Sequence, residues 1–115
     1  MAELSIVESG DLFTHVAVSG RLDTEGVDDI ATSFAAHTAA RRRPAIVDLT
    51  GVTFLASLGM GMLIRAAKAL RQHQVGMVLL GPIEPVERAL RAARVDEVIP
   101  IVRARDEALG VLRVA

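Results

Sequence analysis

Val47-Asp48-Leu49-Thr50-Gly51-Val52-Thr53-Phe54-Leu55-Ala56-Ser57-Leu58-Gly59-Met60-Gly61 is the stretch that decides the fold. It reads as an apolar strand ending at Asp48-Leu49, a short polar turn, and a small-residue loop that opens a long amphipathic helix. Ser57 falls close to the first turn of that helix. Helix N-termini present free N–H groups and a partial positive charge, so a hydroxyl there is well placed to carry a regulatory phosphate. Ser is also a preferred N-cap, and that structural role explains Ser57 without further assumption. At about 100° per residue, Leu58, Met62, Leu63, Ala66, Ala69 and Leu70 share one arc that should face a sheet, with Arg65, Lys68, Arg71 and Gln72 opposite. Met60 and Ile64 lie on the boundary, either as a docking rim or as the edge of the core.

The pattern continues on both sides. Toward the N-terminus, Leu4 and Ile6, then Leu12-Phe13 to Val18, read as two short strands around the turn Ser9-Gly10-Asp11, a hairpin whose second strand ends at Gly20. Asp23 or Thr24 caps a helix through Val27, Ile30, Phe34 and Ala35, closed by Arg41-Arg42-Arg43 and stopped by Pro44. Toward the C-terminus, Val75 to Leu80 is a strand broken by Gly81-Pro82, and Pro85 suits the first turn of a helix through Val86, Leu90 and Ala93. Val98-Ile99 and Ile101-Val102 flank Pro100, which predicts a strand at a sheet edge, and Asp106-Glu107 opens a final short helix. The order β-β-α-β-α-β-α-β-α predicts an α/β fold, a mainly parallel mixed sheet with an N-terminal antiparallel hairpin. One domain over residues 1–115 is expected from the length.

Composition excludes several functions. Thirteen Lys+Arg against fourteen Asp+Glu leave a formal charge of −1, and three Phe without Trp or Tyr offer little stacking surface, so no nucleic acid is expected. The absence of cysteine removes disulfides, thiolate metal sites and thiol catalysis. His15, His37 and His73 have no ligand spacing and read as surface or rim residues, so neither a metal nor a cofactor is expected. Gly59-Met60-Gly61 lacks the third glycine of a dinucleotide loop, position 64 being Ile, and Gly-Lys-Ser/Thr is absent. The chain therefore reads as a non-enzyme. Met1 to Glu8 carries two acids and no base, unlike a signal peptide, and the apolar run from Phe54 is broken by Arg65. That run falls short of the roughly 20 residues of a membrane span, which predicts a cytoplasmic protein without membrane insertion.

Gly20-Arg21-Leu22-Asp23, Val47 to Phe54, Ser57-Leu58-Gly59-Met60 and Val95-Asp96 to Val102 occur in an order and spacing that resembles the STAS domain family, named for sulfate transporters and anti-sigma factor antagonists. The resemblance covers nearly the whole chain. It implies a bacterial regulatory interaction module, acting in signal transduction and transcription regulation, whose partner is an anti-sigma factor or kinase-like ATPase. In the family's antagonists the loop typically reads Asp-Ser-Ser-Gly or Asp-Ser-Thr-Gly, and the hydroxyl before the Gly is phosphorylated. Here the loop is Ala56-Ser57-Leu58-Gly59, so Leu58 holds the phosphoacceptor position and cannot accept phosphate. Ser57 is the remaining candidate phosphoacceptor. The resemblance places the partner face on Asp23, Thr24, Ser57, Leu58, Gly59, Met60 and Ile64. The alternative it leaves open is a STAS scaffold or accessory subunit, self-associating or bound to other STAS proteins or to a transporter's cytoplasmic part.

Overall fold

In the computed structural model, which describes residues 1–114, five strands form one sheet in the order β1-β2-β3-β4-β5. β1 (Ala2–Ser9) pairs antiparallel with β2 (Thr14–Leu22), and β3 (Ala45–Leu55), β4 (Met77–Leu80) and β5 (Ile101–Val102) follow in parallel. The helices are α1 (Thr24–His37), α2 (Ser57–Arg71), α3 (Glu84–Ala92) and α4 (Arg105–Leu112). The element order matches the one read from the sequence.

The centre of the sheet is longer than its sequence suggests. β2 runs past Gly20 to Leu22, and β3 runs past Leu49 to Leu55, through the residues read as a polar turn. Asp48 explains the disguise: its Oδ1 accepts from the Thr50 amide at 2.8 Å and the Thr50 hydroxyl at 2.7 Å, which is turn chemistry inside a strand. The result is a bulge. Ala17 pairs with Asp48 but Ser19 pairs with Gly51, and a second slip follows between Gly20 and Arg21, so eleven residues of β3 accompany nine of β2. Leu49, Val52 and Leu55 stay buried through both irregularities, and that burial holds the strand together.

α1, α2 and α3 cover one face with a core that includes Phe34, Leu63, Leu70, Leu79 and Leu90. α4 covers the other through a smaller cluster of Phe13, Ile46, Val78, Leu80, Val102 and Ala108. Beyond α4 that second face is open at β1 and β2, where Glu3, Ser5 and Ser19 are exposed. Two helix limits differ from expectation. α1 stops at His37, because Thr38 turns its hydroxyl back onto the Phe34 carbonyl at 2.6 Å, and a 3-10 turn Ala39–Arg41 takes in the first arginine of the run. Residues Val95–Glu97 likewise form a 3-10 turn, leaving only Ile101–Val102 as the edge strand after Pro100.

Candidate functional site

β2 and β3 finish together on the pair Leu22 and Leu55, and each feeds a helix that turns back over the sheet. The Ala56 amide donates to the Leu22 carbonyl at 3.1 Å, which ties the two exits side by side. Asp23, Thr24, Ser57 and Leu58 thereby gather at the carboxyl ends of the parallel strands, where open α/β sheets bind their partners.

Two glycines make the close approach. A Cβ on Gly26 would lie 1.7 Å from the Arg21 carbonyl oxygen, so the first turn of α1 rests directly on the end of β2. A Cβ on Gly59 would lie 2.7 Å from Leu55 Cδ1 and 2.9 Å from Leu22 Cβ. Gly59 is buried, so its part in the site is to seat α2; its own surface is not available to a partner.

The two helix starts are capped differently. Asp23 is the N-cap of α1: its Oδ1 accepts from the Gly26 amide at 2.9 Å. That backbone hydrogen bond, with a second from Arg21, holds the Asp23 carboxyl below its ordinary pKa. At α2 the capping position belongs to Ala56, which has no side chain to offer. Ser57 is the first helical residue and exposed, so the expected Ser57 cap does not form. N-capping needs extended backbone one residue before the helix, and Ala56 holds it, with φ −101° and ψ 176°.

Leu58 also departs from expectation. It shares an arc with Met62, which is buried, yet Leu58 itself is 49% exposed. In the first turn of α2 the position seated on the sheet is Gly59, against Leu55 and Leu22, and Leu58 is left toward solvent. Ala67 takes a place in the core alongside Met62, Leu63, Ala66 and Leu70, while Ala69 is half-buried. Met60 and Ile64 are half-buried and pack against the main core, forming its edge beside the site. Thr24 is exposed in the first turn of α1.

The structure adds Arg21 and Phe54. The Arg21 guanidinium carbon lies 4.3 Å from the centroid of the Phe54 ring, and its Nε donates to Asp23 Oδ2 at 3.3 Å. Phe54 is 41% exposed. The sequence signal was an aromatic next to Leu55 at a strand end, where alternation puts only one of the two inside. The strand end thus carries an exposed aromatic under an oriented ion pair, and the start of α2 carries exposed Leu58, groups of the kind found in protein-docking patches.

His15 corrects a further expectation. It is 5% exposed on β2, with Nδ1 3.2 Å from Arg105 Nη1 at the start of α4. Arg105 also lies over the Phe13 ring and pairs with Glu8, and so roofs the histidine. Burial, then the Arg105 charge, lowers the His15 pKa, while Asp48 and Glu8 oppose the shift. Among the described residues no helix is long and apolar enough to cross a membrane.

The sequence is matched over residues 4–108 by the STAS domain model. It is 29% identical to an anti-sigma-B factor antagonist of Listeria monocytogenes, over 76% of this chain and 89% of the relative. An anti-sigma factor antagonist from Mycobacterium paratuberculosis superposes with a TM-score of 0.85 at 23% identity, covering 98% of this chain and 95% of that one. An anti-sigma-factor antagonist (STAS) domain protein from Planctomyces limnophilus superposes with a TM-score of 0.78 at 28% identity, covering 97% and 98%.

Proposed function

The chain belongs to the STAS domain family, and from that premise we propose that it docks an anti-sigma factor or kinase-like ATPase through the paired starts of α1 and α2. It is an anti-sigma factor antagonist-like STAS protein, similar to the curated Listeria antagonist. On this reading residues 1–115 form one such domain that acts in the cytoplasm as a binding protein. The observation that carries the proposal is Leu58: a large apolar side chain, 49% exposed, in the first turn of α2, beside Asp23 of the neighbouring helix start. Fully burying a leucine contributes about 1.5–3 kcal/mol, so covering its exposed part rewards a partner. A phosphorylated hydroxyl at the same place would instead bring about −1.5 to −2 charges and a desolvation cost. With Leu58 there, docking has no phosphate off-switch at that position, and control passes to protein abundance or to the partner. Ser57, exposed and free of a capping role, is the hydroxyl left in the loop, and on this reading it does not take over the switch.

The test is titration of the purified chain against a kinase-like anti-sigma factor from the same genome. The parent chain binds, and Leu58→Asp, which places a charge at the candidate docking point, binds at least about a hundredfold more weakly. Equal affinities would remove the signature loop from the interface.

A second reading, a self-associating scaffold, is favoured by β1. It is an edge strand of eight residues, and it leaves Ile6 and Val7 exposed. Sedimentation as a dimer or larger, reversed by Val7→Lys, would support it; a monomer at high concentration would dismiss it.

A further inference from the structure

At the opposite end of the sheet, below the amino ends of β3, β4 and β5, lies a hollow of about 460 Å³ between the closing turns of α2 and α4. That volume is within the range of small-molecule sites, roughly 300–1,000 Å³. Val75, Met77, Val98 and Leu112 give it an aliphatic side, and polar groups supply about half of its exposed lining. Its polar lining residues are Arg71, Gln74 and Arg113, and among the described residues no acidic or aromatic one lines it.

Cations near helix C-termini are accounted for by the helix dipole alone, so Arg71 in the last turn of α2 says little by itself. The other two polar residues are harder to dismiss. Both helices close in the same way. The Val75 amide donates to the Leu70 carbonyl while Gln74 N–H donates to Arg71; the Val114 amide donates to Leu109 while Arg113 N–H donates to Gly110. This closure turns one residue left-handed, a conformation that suits glycine because it has no Cβ. Here those residues are Gln74, at φ 62°, and Arg113, at φ 59°. Each adopts a backbone that disfavours side chains, and each lines the same hollow.

We propose that this hollow is a binding site for an anionic amphiphile of the fatty-carboxylate type: Arg71 and Arg113 take the carboxylate, Gln74 adds an amide, and the aliphatic side takes the chain. Guanidinium groups match a carboxylate through paired N–H donors, and the aliphatic side of the hollow is what would distinguish a chain-bearing carboxylate from a small one. Nucleotides fit the hollow poorly, since it offers no aromatic face for a base and no glycine-rich turn for phosphates. The site lies at the other end of the strands from Leu58, so its occupation and partner docking are sterically compatible.

Decanoate is the probe, with acetate as head alone and decanol as chain alone, each titrated into the full chain and followed by amide NMR shifts at Gly76 and Gly110. Decanoate binds at least tenfold tighter than either fragment. Arg71→Gln with Arg113→Gly weakens decanoate at least tenfold, and Val111→Trp, at a lining residue that is 47% exposed, blocks it by filling the hollow. Arg113→Gly separates this loss from misfolding, because glycine suits the left-handed position and the variant melts no lower than the parent. Three results would overturn the proposal: no decanoate binding below its solubility limit, decanol binding as tightly as decanoate, or unchanged affinity in the arginine double variant.

Discussion

At the carboxyl end of the strands, Gly26 and Gly59 stand where a single added carbon would meet the Arg21 carbonyl or the Leu55 side chain. At the amino end, Gln74 and Arg113 stand where glycine would suit the backbone better than they do. The first end spends its small residues on bringing two helix starts together, and presents Leu58, Phe54 and the Arg21–Asp23 pair to solvent. The second accepts less favourable helix closures and presents guanidinium and amide groups around a hollow. One end is therefore organised by backbone packing and the other by side-chain chemistry, and the two should respond in opposite ways to the same type of substitution.

The largest contrast is between glycines. Gly26→Ala forces a Cβ into a carbonyl oxygen, so α1 must shift; a loss of about 3 kcal/mol in urea unfolding is expected, the upper part of the usual overpacking range. Gly110→Ala in α4 meets nothing within 4 Å and should be neutral or gain up to about 1 kcal/mol from helix propensity. Equal losses at both positions would erase the distinction.

A smaller effect separates the two helix starts. Asp23→Ala removes the cap of α1 together with the acceptor that orients Arg21 over Phe54, and should lower the melting temperature measurably. Ser57→Ala removes no cap and should stay within about 0.5 kcal/mol of the parent. Should Ser57→Ala prove the more damaging of the two, the assignment of Ala56 as the capping residue would be wrong.

The smallest effect is a pH dependence beneath α4. The folded state lowers the His15 pKa, so folding favours the neutral ring. Its contribution is fully present above the unfolded value of about 6.5 and is lost as pH falls from there through the lower folded value. The urea midpoint should drop between about pH 7.5 and about pH 5.5, and His15→Gln should flatten that drop. An identical slope in the variant would mean that the shift comes from other groups.

The element order was legible because most of the signals are local. Pro85 in a first helical turn, Pro100 before an edge strand and the spacing of Val27, Ile30 and Phe34 each carry their own reason. What failed depended on partners distant in sequence. Thr50-Gly51 looks like a turn unless β2 is already alongside to absorb two bulges. Leu58 lies on an inward arc and is exposed because Gly59 is the residue of that turn seated on the sheet end. His15 looks polar and superficial until Arg105, ninety residues away, is laid over it. At the site, the sequence located the gathered loop but missed Arg21 and Phe54, whose pairing exists only once the strand end is fixed. The hollow was out of reach for the same reason, being assembled from the closing turns of helices on opposite faces.

The central claim is that an apolar residue at the start of α2 docks a partner without a phosphate switch. Calorimetric titration of the parent chain, Leu58→Asp and Leu58→Ser against the kinase-like anti-sigma factor, with and without ATP, tests it most directly. The account predicts that the parent binds equally well in both conditions and that Leu58→Asp does not bind. It also predicts that Leu58→Ser binds until ATP allows its phosphorylation. ATP-dependent release of the parent chain, or undiminished binding by Leu58→Asp, would contradict it.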